Sequence, residues 1–446
     1  MDDLERSEAF CSTAIREQIA GNSAVAIDQF RQALNHNPRH MGAIQGLAIE
    51  LVKTGACSEA LALLEDRLEM FLGSADRANI LSRMVDVHVA SGDPAAARAL
   101  VDRMLAEHPD IFFSYIAATR LFRSLKLYDE LIAVLANGIP LLPAGQARDY
   151  AIQEWARSRA VASIRATGPF NAENQTAGRP IENAVYVSMF KDEGDIIYEN
   201  LAHYYKIGFR KFVLSDNRST DTTRQKILQF RADFPDATAV IVDDVTTQFL
   251  QGKKVTALAS IAFNFFSTES RTIEWVFPVD ADEFLHVGNP EHDLAGILAT
   301  DSLRSATIIT LLLVDYYPRD TFATTPEGAQ LWSSFRAPSA FDDMTTQKIA
   351  FRWSATSEVQ PGNHYVTGRA AIREEVCVGQ EVGLSSAHFQ WRSIEQVTRK
   401  IIRGGAAMSG LSLHQGGMHW RELSERYKQR GPIVAEEVLR GQVNRT

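Results

Sequence analysis

The stretch AVYVSMFKDEGDIIYENLAHYYKIGFRKFVLS, residues 184–215, decides the fold of the second half of the chain. It opens with an apolar run at 184–190 and continues with a helical pattern at 192–208, which ends at Gly208. A second apolar run follows at 211–215. Short apolar runs that alternate with amphipathic helices are typical of a parallel α/β sheet. Such sheets bind their ligands at the carboxyl ends of the strands.

The same alternation continues further along the chain. The sequence predicts helices at 219–232 and 253–267, and strands at 238–243 and 274–279. We therefore predict a Rossmann-like α/β domain over residues 184–405.

Residues 1–165 have a different pattern, with apolar positions at helical spacing throughout. Similar segments begin at Gly21, Gly55, Gly92 and Lys126, which are 34, 37 and 34 residues apart. In the first three segments an alanine follows five residues after the glycine, at Ala26, Ala60 and Ala97, where paired helices are expected to approach closely. This pattern resembles the tetratricopeptide repeat (TPR), a helix-turn-helix unit. It predicts an all-α TPR-like solenoid with a concave face for a protein partner, and a plain helical bundle is the alternative.

Two further segments complete the organisation. Residues 166–183 are rich in Gly, Pro and Asn without periodicity, and they are predicted to form a linker. Residues 406–446 are predicted to form a basic C-terminal extension, and GGAAMSGLSLHQGG (404–417) is expected to be a loop. The basic extension is compatible with contact to a membrane surface, or with a solvated terminal helix.

The run WVFPVDADEF (275–284) carries the strongest chemical signal. Residues i and i+2 of an extended chain face the same side, so Asp280 and Asp282 are expected to point together. Two converging carboxylates suit a hard divalent cation such as Mg²⁺ or Mn²⁺, which can neutralise a diphosphate leaving group. The alternative is an acidic turn that caps a helix.

Polar residues also follow the two strands upstream. In VSMFKDEGD (187–195), Lys191 and Asp192 come where a nucleotide would enter the crevice, although this segment also suits a first helical turn. In LSDNRSTDTTR (214–224), Asp216 is placed to accept a hydrogen bond from a base or ribose, whereas residues 219–221 are ordinary helix caps.

Taken together, VSMFKDEGDIIYENLAHYYKIGF, LSDNRSTDTT, WVFPVDADEFL and LSSAHFQWRSIEQVTRKIIRG (384–404) resemble the glycosyltransferase family 2-like group related to family 92. The four motifs occur in the family's order. The resemblance implies a GT-A fold, a UDP- or GDP-linked sugar donor, Mn²⁺ or Mg²⁺, and inversion at the sugar. Asp192 and Asn200 depart from it, since the group has Asn and Trp at these positions.

The resemblance also implies roles for individual residues. It places Asp216 near the base, and Asp280, Asp282 and His388 at the metal and diphosphate. Three more groups are expected to face the nucleotide: Lys191 and Asp192; Lys253 and Lys254; and Arg392, Lys400 and Arg403. The alternative for His388 is a structural histidine, and the alternative for the residues of the last group is a solvated helix face.

No motif identifies the general base that an inverting transfer needs. Asp315, after the strand ATIITLLLV, and the pair Glu374 and Glu375 are the candidates. The acceptor is equally open, because a bacterial polysaccharide, a lipid-linked glycan and a protein all fit the sequence.

Composition bounds the remaining possibilities. The net charge of −9 over 446 residues argues against general nucleic-acid binding, and the acidic N-terminus lacks the pattern of a secretory signal. Three scattered cysteines form no metal-binding spacing. We expect a cytoplasmic enzyme, in solution or at the inner face of the membrane. The alternative functions are a non-catalytic interaction scaffold with a degenerate transferase module, and a nucleotidyltransferase, although MFKDEGD is not a Gly-rich phosphate loop.

Overall fold

The computed structural model describes residues 2–71, 75–168, 175–244, 250–268, 272–339, 341, 344, 346–368, 372–408 and 418–445. The chain divides into two compact units, Met1–Ser158 and Arg159–Thr446. None of the helices within these described ranges is long and apolar enough to cross a membrane.

The first unit is built from helices that pair with their neighbours in sequence. They are α1 Asp3–Ile19, α2 Ser23–His36, α3 Met41–Lys53, α4 Cys57–Leu68, α5 Ala75–Ala90, α6 Pro94–Glu107, α7 Phe112–Ser124 and α8 Tyr128–Gly138. The boundary between the units, after Ser158, falls within the next helix, α9 Gln146–Thr167. Each of α1 to α7 packs on the next helix, and α1, α3, α5 and α7 also contact one another in turn. This stacking of helical pairs confirms the predicted all-α, TPR-like class.

The turn inside each pair has the conformation that the repeat pattern requires. Gly21, Gly55 and Gly92 adopt φ angles of +79°, +80° and +79°, which favour glycine. Lys126 takes the equivalent position in the last pair with φ of +59°. The alanines five residues after the three glycines are fully buried. The fourth repeat therefore keeps the shape of the turn although it has lost the glycine.

We expect Lys126→Gly to stabilise the α7–α8 pair by about 1 kcal/mol, because it removes the strain of a side chain in the left-handed region. Gly92→Ala is the matched control, and it should destabilise its own turn by a similar amount. Amide hydrogen exchange of α7 and α8 measures the effect. Faster exchange in Lys126→Gly would show that the lysine side chain stabilises the turn.

The second unit is an α/β domain around a nine-stranded mixed sheet. The strands of the unit are β1 Ala184–Phe190, β2 Lys211–Asp216, β3 Thr238–Asp243, β4 Trp275–Pro278, β5 Glu283–Val287, β6 Ile308–Asp315, β7 Tyr317–Pro318, β8 Phe335–Arg336, β9 Gln347–Arg352, β10 Glu358–Val359, β11 Val366–Thr367, β12 Val376–Val378 and β13 Leu384–His388. The main sheet has the order β3-β2-β1-β4-β9-β6-β13-β5, with β12 beside β6. β7 pairs with β8, and β10 pairs with β11.

The four strands β3, β2, β1 and β4 are parallel, as the sequence predicts. β9 and β5 run antiparallel to their neighbours, so the whole sheet is mixed rather than parallel. The helices of this unit are α10 Ile197–Lys206, α11 Thr223–Asp233, α12 Gln251–Phe266, α13 Leu294–Leu298, α14 Asp301–Ser305, α15 Ala329–Ser333, α16 Ile394–Met408, α17 Met418–Arg430 and α18 Ile433–Val443. The predicted Rossmann-like α/β class is confirmed.

Alternate residues of the central strands enter two different hydrophobic clusters. Tyr186 and Phe212 belong to one cluster, whereas Val185, Val187 and Val213 belong to the other. Because successive side chains of a strand point to opposite faces, both faces of the sheet are covered. Burial on both faces explains why these strands are apolar runs rather than alternating ones.

Three segments differ from the sequence-based expectation. α10 begins at Ile197 instead of 192, and α11 begins at Thr223 instead of 219, because the loops before them bind each other instead of starting a helix. Residues 404–408 belong to α16 and not to a loop, since Gly404 and Gly405 pack against Trp420 and Ser424 of α17. The rest of that predicted loop, 409–417, lies outside the described residues.

The predicted linker, 166–183, is described in part. Residues 169–174 lie outside the described residues. Beyond them, Gly178 N–H donates to the Lys206 carbonyl, Ile181 N–H donates to that of Gly208, and Ile181 is buried. Residues 175–183 are thus packed against the α/β unit.

His203 of α10 is buried, and its Nε2 donates to the backbone oxygen of Leu285 over 2.7 Å. Burial lowers the pKa of His203 to about 4, from 6.5 in an unfolded chain. The unfolded chain therefore takes up a proton at a higher pH than the folded one. The stability that neutral His203 contributes is complete above about pH 6.5 and is lost as the pH falls toward 4.

We expect His203→Gln to keep an amide donor for Leu285 while removing this titration. Between about pH 6.5 and 4, the wild-type free energy of unfolding should fall relative to the variant by about 1.4 kcal/mol per pH unit. Urea unfolding of both proteins across this range measures the difference. A difference that does not change with pH would contradict a neutral, buried His203.

Candidate functional site

A cleft of about 910 Å³ opens at the carboxyl ends of β1, β4 and β6. Its lining is rich in polar and charged groups, and it includes several of the acidic and basic residues predicted from the sequence. The lining residues include Lys191, Glu193, Gln251, Asp280, Asp282, Glu283, Asp315, Lys348, His388, Lys400, Arg403 and Trp420.

The acidic run does not have the extended geometry that the sequence suggested. β4 ends at Pro278, and the chain then turns, so that Glu283 N–H donates to the Asp280 carbonyl over 3.0 Å. β5 starts at Glu283 and pairs antiparallel with β13. The expectation of one extended strand through Asp280 and Asp282 is therefore wrong, although both residues line the cleft.

Asp280 is held by three donors from distant parts of the chain. Lys348 Nζ donates to it over 2.8 Å, Gln251 Nε2 over 2.9 Å and Asn363 Nδ2 over 3.1 Å. Lys348 also lies 2.6 Å from Glu283 Oε1. Burial alone would lower the pKa of Lys348, but Asp280 and Glu283 raise it above its usual range, so the lysine remains charged.

Asp282 is surrounded by cationic groups. Lys400 Nζ donates to its Oδ2 over 2.7 Å, Arg392 Nη1 lies 3.5 Å away and His388 Nε2 lies 3.8 Å away. Burial opposes ionisation here, but Lys400, His388 and Arg392 outweigh it and hold the pKa of Asp282 well below its usual range. Asp282 is thus a buried carboxylate that stays ionised.

Ligand atoms of Asp282, Glu283 and His388 all lie within 4.8 Å of one another. Two carboxylates and one imidazole are a donor set that fits Mn²⁺, and Mg²⁺ less well because of the nitrogen. Burial raises the pKa of Glu283 to about 8. A cation bound next to Glu283 would favour the ionised form of its carboxyl group. The structure therefore groups Glu283, rather than Asp280, with the two other predicted ligands.

His388, the last residue of β13, is oriented by Asp315 at the end of the neighbouring strand β6. Its Nδ1 lies 2.6 Å from Asp315 Oδ1. An ionised carboxylate can only accept a hydrogen bond, so the Nδ1 proton is fixed there and Nε2 is left to face Asp282. Burial would lower the pKa of His388, but the bond to Asp315 and the charge of Asp282 raise it.

Asp192 and Asp216, two of the predicted nucleotide-binding residues, tie loops together. Asp192, with φ of +52°, accepts from Thr220 N–H over 2.6 Å, and Asp216 accepts from Ser219 N–H over 3.0 Å. Neither residue is among those that line the cleft. Lys191 does line it, and its Nζ donates to the Asn217 carbonyl over 3.0 Å. The left-handed Asp192 and its bonds explain why α10 starts late.

Arg392 is wholly buried, in contrast to the predicted diphosphate contact. Its guanidinium donates to Asp195 over 2.9 Å and to Glu193 over 2.9 Å. Burial would raise the pKa of Asp195, but Arg392 lowers it to about 2. The arginine therefore acts as an internal cation behind the cleft, between Asp282 and the loop that follows β1 (residues 191–196, the β1 loop).

The other expected site residues are not brought into the cleft. Lys254 lies 2.6 Å from Asp244, and Lys253 is exposed. Glu374 is also exposed, and it pairs with Arg373 at 2.7 Å instead of lining the cleft.

Glu375 lies at the opposite end of the strands from the cleft. Its carbonyl accepts from Thr307 N–H, next to the amino end of β6, whereas Asp315 ends the same strand about 26 Å further along. Of the three predicted base candidates, Asp315 lines the cleft.

The three residues that hold Asp280 were not predicted from the sequence: Gln251, Lys348 and Asn363. None of them belongs to a motif, and each comes from a separate element, so only the folded chain brings them together. Glu283 carried a signal, since it directly follows Asp282 in the acidic run.

No family model and no curated protein matches the chain. Matching solved structures include a thermophilic TPR protein of Thermus thermophilus, with 15% identity and a TM-score of 0.27; the match covers 36% of this chain and 83% of that one. Another is the mannosyltransferase PcManGT of Pyrobaculum calidifontis, in complex with GDP-Man and Mn²⁺, with 14% identity, a TM-score of 0.24 and coverage of 70% and 86%.

A third is a mutant O-GlcNAc transferase of Thermobaculum terrenum, with 16% identity, a TM-score of 0.23 and coverage of 54% and 42%. The matches thus include TPR proteins and glycosyltransferases, but their low TM-scores carry no argument about this chain. Membership of the family 2-like or family 92-like group stays a prediction.

Proposed function

We propose that the α/β unit is a metal-dependent glycosyltransferase that takes a sugar from a UDP- or GDP-linked donor. The observation that carries the proposal is the group of Asp282, Glu283 and His388 inside a cleft at the carboxyl ends of the strands. A Mn²⁺ or Mg²⁺ ion there would supply the charge that stabilises a departing nucleoside diphosphate.

The side chains around this group suit such a donor. Lys191, Lys400 and Arg403 line the cleft next to the carboxylates, and they offer positive charge to a diphosphate. Arg403 donates to the Lys191 carbonyl, so a hydrogen bond joins α16 to the β1 loop beside the cleft. The cleft thus holds candidate metal ligands and positively charged side chains next to each other, which suits the diphosphate of a nucleotide sugar.

In the proposed reaction an acceptor hydroxyl oxygen bonds to the anomeric carbon as the bond from that carbon to the diphosphate breaks. The negative charge leaves with the nucleoside diphosphate, beside Lys400 and Arg403. Asp315, which lines the cleft, is the candidate for receiving the hydroxyl proton, and its bond to His388 also fixes the imidazole. A glycan, lipid-linked or protein acceptor fits the proposal.

The first unit has a role of its own in this proposal. Its repeated helical pairs are an architecture that commonly binds extended protein segments. We propose that it recruits a protein partner or the acceptor.

The alternative function is an interaction scaffold without catalysis. Such a scaffold would need neither a cation nor a nucleotide, so binding of these ligands distinguishes it from an enzyme.

The experiment is a donor panel with the whole chain. Purified protein is incubated with Mn²⁺ and individual UDP- and GDP-sugars, and nucleotide release is measured. We expect release with one donor, and its loss when EDTA removes the metal. Thermal unfolding is recorded in parallel with Mn²⁺ and UDP or GDP. No release and no stabilisation with any nucleotide would favour the scaffold over the enzyme.

A further inference from the structure

Two of the cationic partners of Asp282, Arg392 and Lys400, are held in different ways. Arg392 is wholly buried and is fixed by Glu193 and Asp195, so it has no freedom to leave. Lys400 lies on α16 and lines the cleft, and its Nζ bonds Asp282 Oδ2 over 2.7 Å and the Gln390 carbonyl over 3.2 Å. A lysine carries its charge on a flexible stem with rotatable donors, which suits a change of partner.

The ammonium of Lys400 and a divalent cation cannot both sit on Asp282 without repulsion. The ammonium already bonds one carboxylate oxygen, and a metal shared by Asp282, Glu283 and His388 would be its close neighbour. Arg392, being fixed, adds the same repulsion whether or not a nucleotide is present. Lys400 is therefore the partner whose position decides how well the cation binds.

A diphosphate in the cleft would give Lys400 another partner. Lys191, Lys400 and Arg403 line the same cleft, so a diphosphate bound there would have all three cations around it. Oxygen atoms of a diphosphate form strong, charge-assisted bonds with an ammonium group. Moving Lys400 from Asp282 to the diphosphate removes the repulsion from the metal position.

We propose that Lys400 couples the binding of the two ligands. Without nucleotide it competes with the divalent cation for Asp282, and with nucleotide it bonds the diphosphate and releases Asp282 to the metal. The metal and the nucleoside diphosphate then favour each other, and by linkage the effect is reciprocal. This inference rests on the proposed function, because it takes Asp282 as a metal ligand.

The test is Lys400→Met, which keeps most of the stem and removes the charge. Calorimetry measures the binding of Mn²⁺ to the nucleotide-free protein, and separately the binding of UDP or GDP to the protein saturated with Mn²⁺. We expect Mn²⁺ alone to bind about ten-fold more tightly to the variant than to wild type. With saturating Mn²⁺, the nucleoside diphosphate should bind about ten-fold less tightly to the variant. A lysine with a purely structural role would not move the two affinities in opposite directions.

Three further variants complete the design. Lys428→Met removes the same charge from an exposed lysine of α17 that pairs with Glu425 and is not among the residues lining the cleft, and it should change neither affinity. Lys400→Arg keeps the competing cation, so Mn²⁺ alone should bind no better than to wild type. Lys400→Gln keeps a donor for Asp282 without the charge, and it should tighten Mn²⁺ binding as Met does, which protects the test against misfolding of one variant.

The outcomes separate the two proposals. If the wild-type chain binds neither UDP nor GDP with Mn²⁺, the proposed function fails, and the coupling fails with it. If it binds a nucleotide with Mn²⁺ but Lys400→Met and Lys400→Gln leave the affinity for Mn²⁺ alone unchanged or weaker, only the coupling by Lys400 is overturned.

Discussion

Asp282→Ala is expected to lower metal-dependent nucleotide release by at least about a thousand-fold, the largest effect on activity that the site predicts. The variant loses one of three proposed ligands. It also leaves Lys400, Arg392 and His388 facing each other without the carboxylate that now balances them. The loss should appear in release from the best donor of the panel, with saturating Mn²⁺.

A matched control is Asp301→Ala, which removes an exposed carboxylate from α14 and should leave release unchanged. Thermal unfolding of Asp282→Ala checks that the unit stays folded. Metal-dependent release at the wild-type rate from a folded Asp282→Ala protein would remove Asp282 from the proposed site.

Arg392→Met is expected to have the largest effect on stability. The guanidinium is wholly buried and compensates Glu193 and Asp195, and it lies 3.5 Å from Asp282. Breaking a buried ion network by removing one partner commonly costs about 3–5 kcal/mol, because the remaining charges are left uncompensated. We expect a loss of that size in the free energy of unfolding of the α/β unit at neutral pH.

Urea unfolding of the whole chain, followed by hydrogen exchange of β1 and β4 amides, measures this loss. Arg399→Met is the comparison, since Arg399 also pairs with Asp195 but is partly exposed, and it should cost about 1 kcal/mol or less. Equal effects of the two substitutions would show that burial of Arg392 does not carry the stability.

The sequence was sufficient for the helical first unit, for the order of strands and helices from β1 to β4, and for β6. Apolar runs such as AVYVSMF are strands because both faces of the sheet are buried, and the repeat glycines mark turns with positive φ. These signals lie within short stretches of the chain, so they can be recognised from composition or spacing. The mixed direction of β9 and β5 had no such local signal, because strand direction is set by contacts far apart in sequence.

The site was predictable in part for the same reason. Asp282, His388 and Lys400 fall in motifs at strand ends or on the following helix, and the structure brings them together. The turn at Asp280 broke the expectation of one extended strand, so that Glu283 joined the group instead. Lys348 lies near Asp280 only because β9 pairs with β4, which no short motif can signal.

The loops before α10 and α11 show a second kind of limit. Asp192 and Asp216 have residue types that suit a nucleotide and also suit a loop hydrogen bond. In the folded chain Asp192 accepts from Thr220 N–H of the other loop, and Asp216 accepts from Ser219 N–H of its own turn. Residue type alone cannot separate these roles, because the deciding donors belong to the backbone.

The most direct measurement of the central claim is anomalous diffraction from crystals of the whole chain grown with Mn²⁺ and UDP or GDP. We expect a manganese peak within about 2.5 Å of ligand atoms of Asp282, Glu283 and His388, with the nucleotide diphosphate beside it. A manganese peak at a different set of residues, or nucleotide bound outside this cleft, would contradict it.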